Sequence, residues 1–214
     1  MTVIVGLEGI MLVCVLLMHA AKQNTSVVLL YAFQSVAITS LLVALGVTGP
    51  EGDGLLVSAV LTGIVKVMIA PVLFFRLIRR HQLKRSGSTY LNLPLTLFVL
   101  LVLIATIQSD RFAPLTTLSD LPAHVLLLPV SSLVASFFLL VNRKGALSQM
   151  IGILSIENSI VAFAAQLGTE QTISLELGIA FDILVWIIIA TTFIGLIQRH
   201  FGSLDSTVMK QLTD

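Results

Sequence analysis

Residues 55–78 read LLVSAVLTGIVKVMIAPVLFFRLI. The run carries one charge, Lys66, before Arg76 near its end. At about 1.5 Å per residue, a helix of this length crosses the roughly 30 Å hydrocarbon core of a bilayer. Six more segments pass the same test: 3–20, 26–46, 91–108, 123–141, 146–166 and 174–197. Breakers and polar residues separate them, as in Gly49-Pro50-Glu51-Gly52-Asp53-Gly54, a loop by composition. The expectation is an all-α, polytopic integral membrane protein with seven transmembrane helices.

Composition points the same way. The chain has 214 residues, 57% hydrophobic and 11% charged, against about 25% charged in an average soluble domain. Its mean hydropathy is +1.04. So few charges cannot cover a water-facing surface, which excludes a soluble enzyme and a disordered tail. A net charge of +1, with basic residues in short loops, argues against a nucleic-acid partner. Cys14 is alone in an apolar run, so the chain builds no internal disulfide or thiolate cluster. No Lys or Arg precedes the first apolar stretch, which therefore reads as a retained span rather than a secretory signal.

Charge sets the orientation. With the N-terminus outside, ten of the twelve Lys and Arg fall on the inner side. They are Lys22, Arg76, Arg79, Arg80, Lys84, Arg85, Arg143, Lys144, Arg199 and Lys210. Arg111 falls outside and Lys66 lies within a span. The positive-inside rule then predicts N-terminus out and C-terminus in.

A weak repeat is readable. The second span follows Lys22 and carries Gln34, and the sixth follows Lys144 and carries Glu157. The third has Lys66 and ends Arg79-Arg80-His81, and the seventh has Asp182 and ends Gln198-Arg199-His200. Chance similarity among Leu-rich helices accounts for this equally well. On this division residues 1–142 form an N-terminal region. Residues 143–214 complete a C-terminal three-helix unit whose first helix is 123–141.

Ionisable side chains near the bilayer centre cost about 2.5–3.5 kcal/mol or more on insertion scales, and they mark ion or proton paths by default. Lys66, Glu157 and Asp182 lie at such depths. On the sixth span Ser148, Gly152, Ser155, Ser159 and Ala162 form a small-residue seam suited to close helix packing. Glu157 points nearly opposite, among Ile153, Leu154, Ile160 and Val161. That face must be covered, because a carboxylate cannot be left in lipid. Apolar walls also favour its neutral form, the chemistry of a group that takes up and releases protons. Lys66 shares its face with Ala59, Thr62, Gly63 and Ala70, and Pro71 should bend the helix beyond it. Glu176, about 9 Å along the helix from Asp182, is either a second station or a solvated residue at a helix start. Glu8, near the outer end of the first span, is read as solvated in the same way.

His19, His81, His124 and His200 stand at or beyond span ends, so none ligates a mid-membrane haem. No GxxxxGK loop and no metal-ligand spacing occurs. The expectation is no cofactor and no metal in this chain.

Residues 149–158 (QMIGILSIEN), 176–182 (ELGIAFD) and 202–205 (GSLD) resemble the E component of hydrogenase-4-type complexes, membrane-bound relatives of formate hydrogenlyase. The stretch 59–71, with Lys66 and Pro71, looks like the same component. The C-terminal part is more distantly similar to the K subunit of complex I and the C subunit of Mrp-type antiporters. In that group a Glu in a GxxxxE context belongs to the proton-path machinery, and Gly152 and Glu157 match it here. The resemblance implies a non-catalytic membrane subunit of an oxidoreductase complex in a prokaryotic cytoplasmic membrane. Its partners would be antiporter-like and quinone-site-type subunits. Glu157, Asp182, Lys66 and Glu176 would serve proton or sodium translocation, with Asp182 and Glu176 competing for the second station. Two other classes stay open on the residues: a structural adaptor without ion transport, and a stand-alone secondary transporter.

Overall fold

The computed structural model describes residues 1–48, 52–83, 88–118 and 121–168, with Thr192, Phe193 and Leu196. Among these the chain is helical, and no strand forms beyond isolated bridges such as the one between Thr89 and Arg143. The helices are α1 (Thr2–Ala20), α2 (Asn24–Thr48), α3 (Gly52–Thr62), α4 (Ala70–His81), α5 (Leu93–Ile107), α6 (Ala123–Asn142) and α7 (Ala146–Gln166). A π-helical stretch, Gly63–Ile69, joins α3 to α4, so that Gly52–Arg80 runs as one apolar rod. A 3₁₀ segment, Asp110–Leu118, follows α5.

Six of the seven expected spans thus fall on helices, and the seventh, 174–197, lies almost wholly outside the described residues. Five of the six are long and apolar enough to cross a membrane. The helix at 91–108 is shorter than expected, at 15 residues or about 22 Å. Asn92 caps it by accepting from the Leu95 amide at 3.1 Å, with Pro94 in its first turn, and the chain turns out of it at Gln108.

Backbone hydrogen bonds must be satisfied inside the rod, and Pro71 has no N–H to give to the carbonyl of Val67. The ladder upstream is accordingly widened, and the Ala70 amide bonds to the Val65 carbonyl, five residues back. The expected proline bend is therefore expressed as a π stretch, with Lys66 at its middle.

α2 is the hub, packing on α1, α3, the π stretch, α4 and α7. The α6–α7 pair is equally close, and the predicted seam explains it. Ser148, Gly152, Ser155, Ser159 and Ala162 are all buried. A Cβ added at Gly152 would stand 3.3 Å from Leu140 main-chain atoms, so only glycine fits this approach without displacement. Ser136 and Ser155 hydroxyls bond across the pair at 2.8 Å.

One basic residue counted as a solvated loop charge is buried. Arg143 is 3% exposed, and its Nη2 donates to the carbonyls of Met18, His19 and Ala21 at 2.5, 3.0 and 2.8 Å. It thereby ties the C-terminal end of α1, where the dipole is negative, to the α6–α7 turn. Burial lowers its pKa from the ordinary arginine value, but a guanidinium has range to spare and stays charged. His19 donates beside it to the Ala135 carbonyl at 3.0 Å and stacks on Phe138.

Candidate functional site

Lys66 and Glu157, on spans that are distant in sequence, meet in the bundle interior. Lys66 Nζ is 3.4 Å from Glu157 Oε1. The π stretch delivers the lysine: Ala59, Thr62 and Ala70 on its face are buried, which leaves Lys66 1% exposed. α7 delivers the glutamate from the side opposite its packed seam. There Leu154 is buried, Ile160 is exposed, and the Glu157 side chain keeps 24% of its surface open. The covering that an apolar face with a carboxylate requires is thus supplied in part by the π stretch and by α2.

A polar layer surrounds the pair. Asn158, next to Glu157, turns towards α2 and donates to Gln34 Oε1 at 3.4 Å and Ser35 Oγ at 3.3 Å. One turn before Ser35 stands Tyr31, fully buried, with its ring edge-on to Phe74 and its hydroxyl within electrostatic reach of Glu157. Gln34 Nε2 and Asn158 Oδ1 have no hydrogen-bond partner among the described residues, while Tyr31 lies within hydrogen-bonding reach of Ser35 and Lys66 within reach of Glu157. Buried polar groups are normally paired, and a local concentration of spare donors and acceptors calls for a reason.

This arrangement suits charge exchange. An ionised Glu157 and an ammonium at Lys66 stabilise each other. Adding a proton to Glu157 removes that stabilisation and leaves a buried cation beside a neutral acid, so each group's protonation depends on the other's. No group of three or more His, Cys, Asp or Glu that could hold a metal ion occurs among the described residues.

Asp182 and Glu176, the two competing second stations, lie outside the described residues. Glu8 corrects the sequence reading. It is 1% exposed rather than solvated, because α1 turns its face into the bundle between Met11 and Ile4. Tyr31, Ser35 and Asn158 were not singled out by sequence. Their signal is faint: a Tyr and a Ser four residues apart beside Gln34, and an Asn adjoining a charged residue in an apolar helix.

No family model matches the chain. No solved structure matches it either. The uncharacterized protein Rv0085 of Mycobacterium tuberculosis is 25% identical over 215 residues, covering 96% of this chain and 93% of its own length.

Proposed function

We propose that this chain is a membrane subunit of a hydrogenase- or complex-I-related oxidoreductase, and that it carries part of a proton or sodium path. Redox chemistry would belong to other subunits. The chain would cross a prokaryotic cytoplasmic membrane with its N-terminus outside, packed against antiporter-like and quinone-site-type neighbours. The observation that carries the reading is the Lys66–Glu157 pair, its lysine fully buried on a π stretch and its surroundings a layer of buried polar side chains.

In this reading Glu157 is the protonatable station and Lys66 the charge that tunes it. With Glu157 ionised the pair is closed and the carboxylate is held. A proton arriving at the partly open side of Glu157 neutralises it and frees the lysine charge to act on the next group. Asp182 or Glu176 is that next group on the last span. π stretches in helices often mark functional sites because their wide turn shifts register at low cost. A Lys at the centre of one is well placed to move.

The test is Glu157→Gln, which keeps size and hydrogen-bonding capacity but exchanges no proton. The complex that co-purifies in mild detergent is reconstituted in vesicles, and electron transfer and ion uptake are measured together. The expected outcome is intact assembly, persistent electron transfer and a sharp fall in ion uptake. Undiminished uptake would overturn the reading and leave the pair as a structural tie between α7 and the π stretch.

A further inference from the structure

The rod Gly52–Arg80 carries an exposed apolar stripe that ends in three arginines. Every fourth side chain along it is exposed: Val60, Ile64, Met68 and Val72, then Arg76 and Arg80, with Arg79 beside them. At about 3.6 residues per turn, each four-residue step along an α-helix drifts by about 40°. The π stretch Gly63–Ile69 lies in the middle of the stripe, and its wider turn takes up part of that drift, so the row keeps to one side of the rod. The other side of α4, with Phe74, Leu77 and Ile78, is buried in the cluster that holds Val27, Val28 and Tyr31 of α2.

Arg76, Arg79 and Arg80 fall within about 100° of arc that includes the direction of Val72, and within about 6 Å along the axis. None of the three side chains has an ion pair or hydrogen bond among the described residues. The described acids stand elsewhere: Asp53 at the far end of the rod, Asp110 after α5, Glu8 in the first half of α1 and Glu157 in α7. Asn24 Nδ2 donates to the Leu83 carbonyl at 2.9 Å, which brings the α1–α2 turn, with exposed Lys22, to the level of the arginines. The helix dipole favours cations here, but like charges three and four residues apart repel one another. An anion held between them removes that repulsion, and the planar guanidinium fork matches the oxygens of a phosphate. From Val60 to Val72 the stripe runs about 18 Å, close to half the thickness of a bilayer's hydrocarbon core. A phospholipid joins the two parts, an apolar chain of about that length and a phosphate at its end. A soluble phosphate or an acidic peptide meets only the arginines.

We propose that this face of the rod binds an anionic phospholipid of the leaflet in which α4 ends, with an acyl chain along Val60, Ile64, Met68 and Val72 and the phosphate among Arg76, Arg79 and Arg80. Ile64 and Met68 lie on the outer side of the π stretch that turns Lys66 inward, so the acyl chain rests on the back of that turn. The proposal does not rest on the oxidoreductase reading, and its test needs no partner subunit.

The full chain, purified in mild detergent, is mixed with equal amounts of phosphatidylglycerol and phosphatidylcholine of the same acyl chains, and bound lipid is counted by native mass spectrometry. Phosphatidylglycerol should be retained several-fold in preference and should raise the thermal midpoint. Replacing all three arginines by glutamine should abolish the preference. Arg111→Gln, which removes an exposed cation beyond α5, should leave it intact. Replacing the three by lysine keeps the charge without the fork and should retain only part of the preference; this variant carries the test if the glutamine one fails to fold. Met68→Gln with Val72→Gln should weaken lipid retention while the arginines stay. Inorganic phosphate in excess should not displace the lipid. Equal retention of the two lipids, a preference that survives in the glutamine variant or is complete in the lysine variant, or displacement by inorganic phosphate would each overturn the proposal.

Discussion

Lys66 Nζ and Glu157 Oε1, 3.4 Å apart, connect the third span to the sixth across 91 residues of chain. The two charges are unequally buried, the lysine closed in and the glutamate partly open. That asymmetry makes Glu157 the side from which the pair is reached, and Lys66 the side that cannot be left alone.

Removing one partner should therefore cost far more than removing both. Glu157→Leu leaves a buried ammonium without a counter-charge and should destabilise the fold by about 3–5 kcal/mol. Lys66→Met with Glu157→Leu should recover most of that loss, because two apolar side chains replace a desolvated pair. Thermal unfolding in detergent across the double-mutant cycle measures the coupling. Additive losses would show that the pair does not interact.

Pro71→Ala restores the missing amide donor. The π stretch should relax towards α-helix and rotate Lys66 away from Glu157. Stability should rise or hold, while ion uptake by the reconstituted complex falls. Unchanged uptake with restored helical hydrogen bonding, read by amide exchange, would show that the wide turn is incidental.

Arg143→Met should destabilise the fold by about 2–4 kcal/mol, because the carbonyls at the end of α1 lose a charged donor. Arg143→Lys should recover little, since an ammonium has neither the reach nor the planar fork of the guanidinium. Chemical denaturation of the purified chain checks both. Full rescue by lysine would reduce the contact to simple charge.

Gly152→Val should cost about 1–3 kcal/mol by forcing the Leu140 main chain outward. Ser136→Ala should cost only about 0.6 kcal/mol, a typical interhelical hydrogen bond in a membrane. The contrast in thermal midpoints separates close approach from hydrogen bonding as the force holding α6 to α7. Equal losses would contradict it.

Charge counting predicts that single cysteines at Ser86 and Ser119, in a Cys14→Ala background, label from opposite sides of the membrane. Labelling of both from outside by a membrane-impermeant reagent would reverse the orientation.

Helix extents were legible because each span is a local pattern. Apolar length and the Ser148-to-Ala162 seam depend only on residues within one turn or one helix, whereas the short extent of α5 is set by the Asn92 cap and Pro94 at its start. The site was legible in part. Lys66 and Glu157 stand out in any apolar run, because lipid makes their charge conspicuous. Glu8 was misjudged because depth along a helix says nothing about which way a face turns, and Arg143 was taken for a loop charge because its three carbonyl partners belong to a distant helix end.

Sequence alone determined that this is a helical protein with spans long and apolar enough for a bilayer, with charges inside them. Composition and periodicity suffice for that, since a bilayer demands the same of every helix. Tertiary structure decided which charges meet. Side-chain spacing on one helix specifies a face but not its neighbour. That choice depends on how α2 sits between the π stretch and α7, and on how closely Gly152 and Ser155 let α6 and α7 approach. Both are sums of many small packing contacts between distant segments, which no local window of sequence contains.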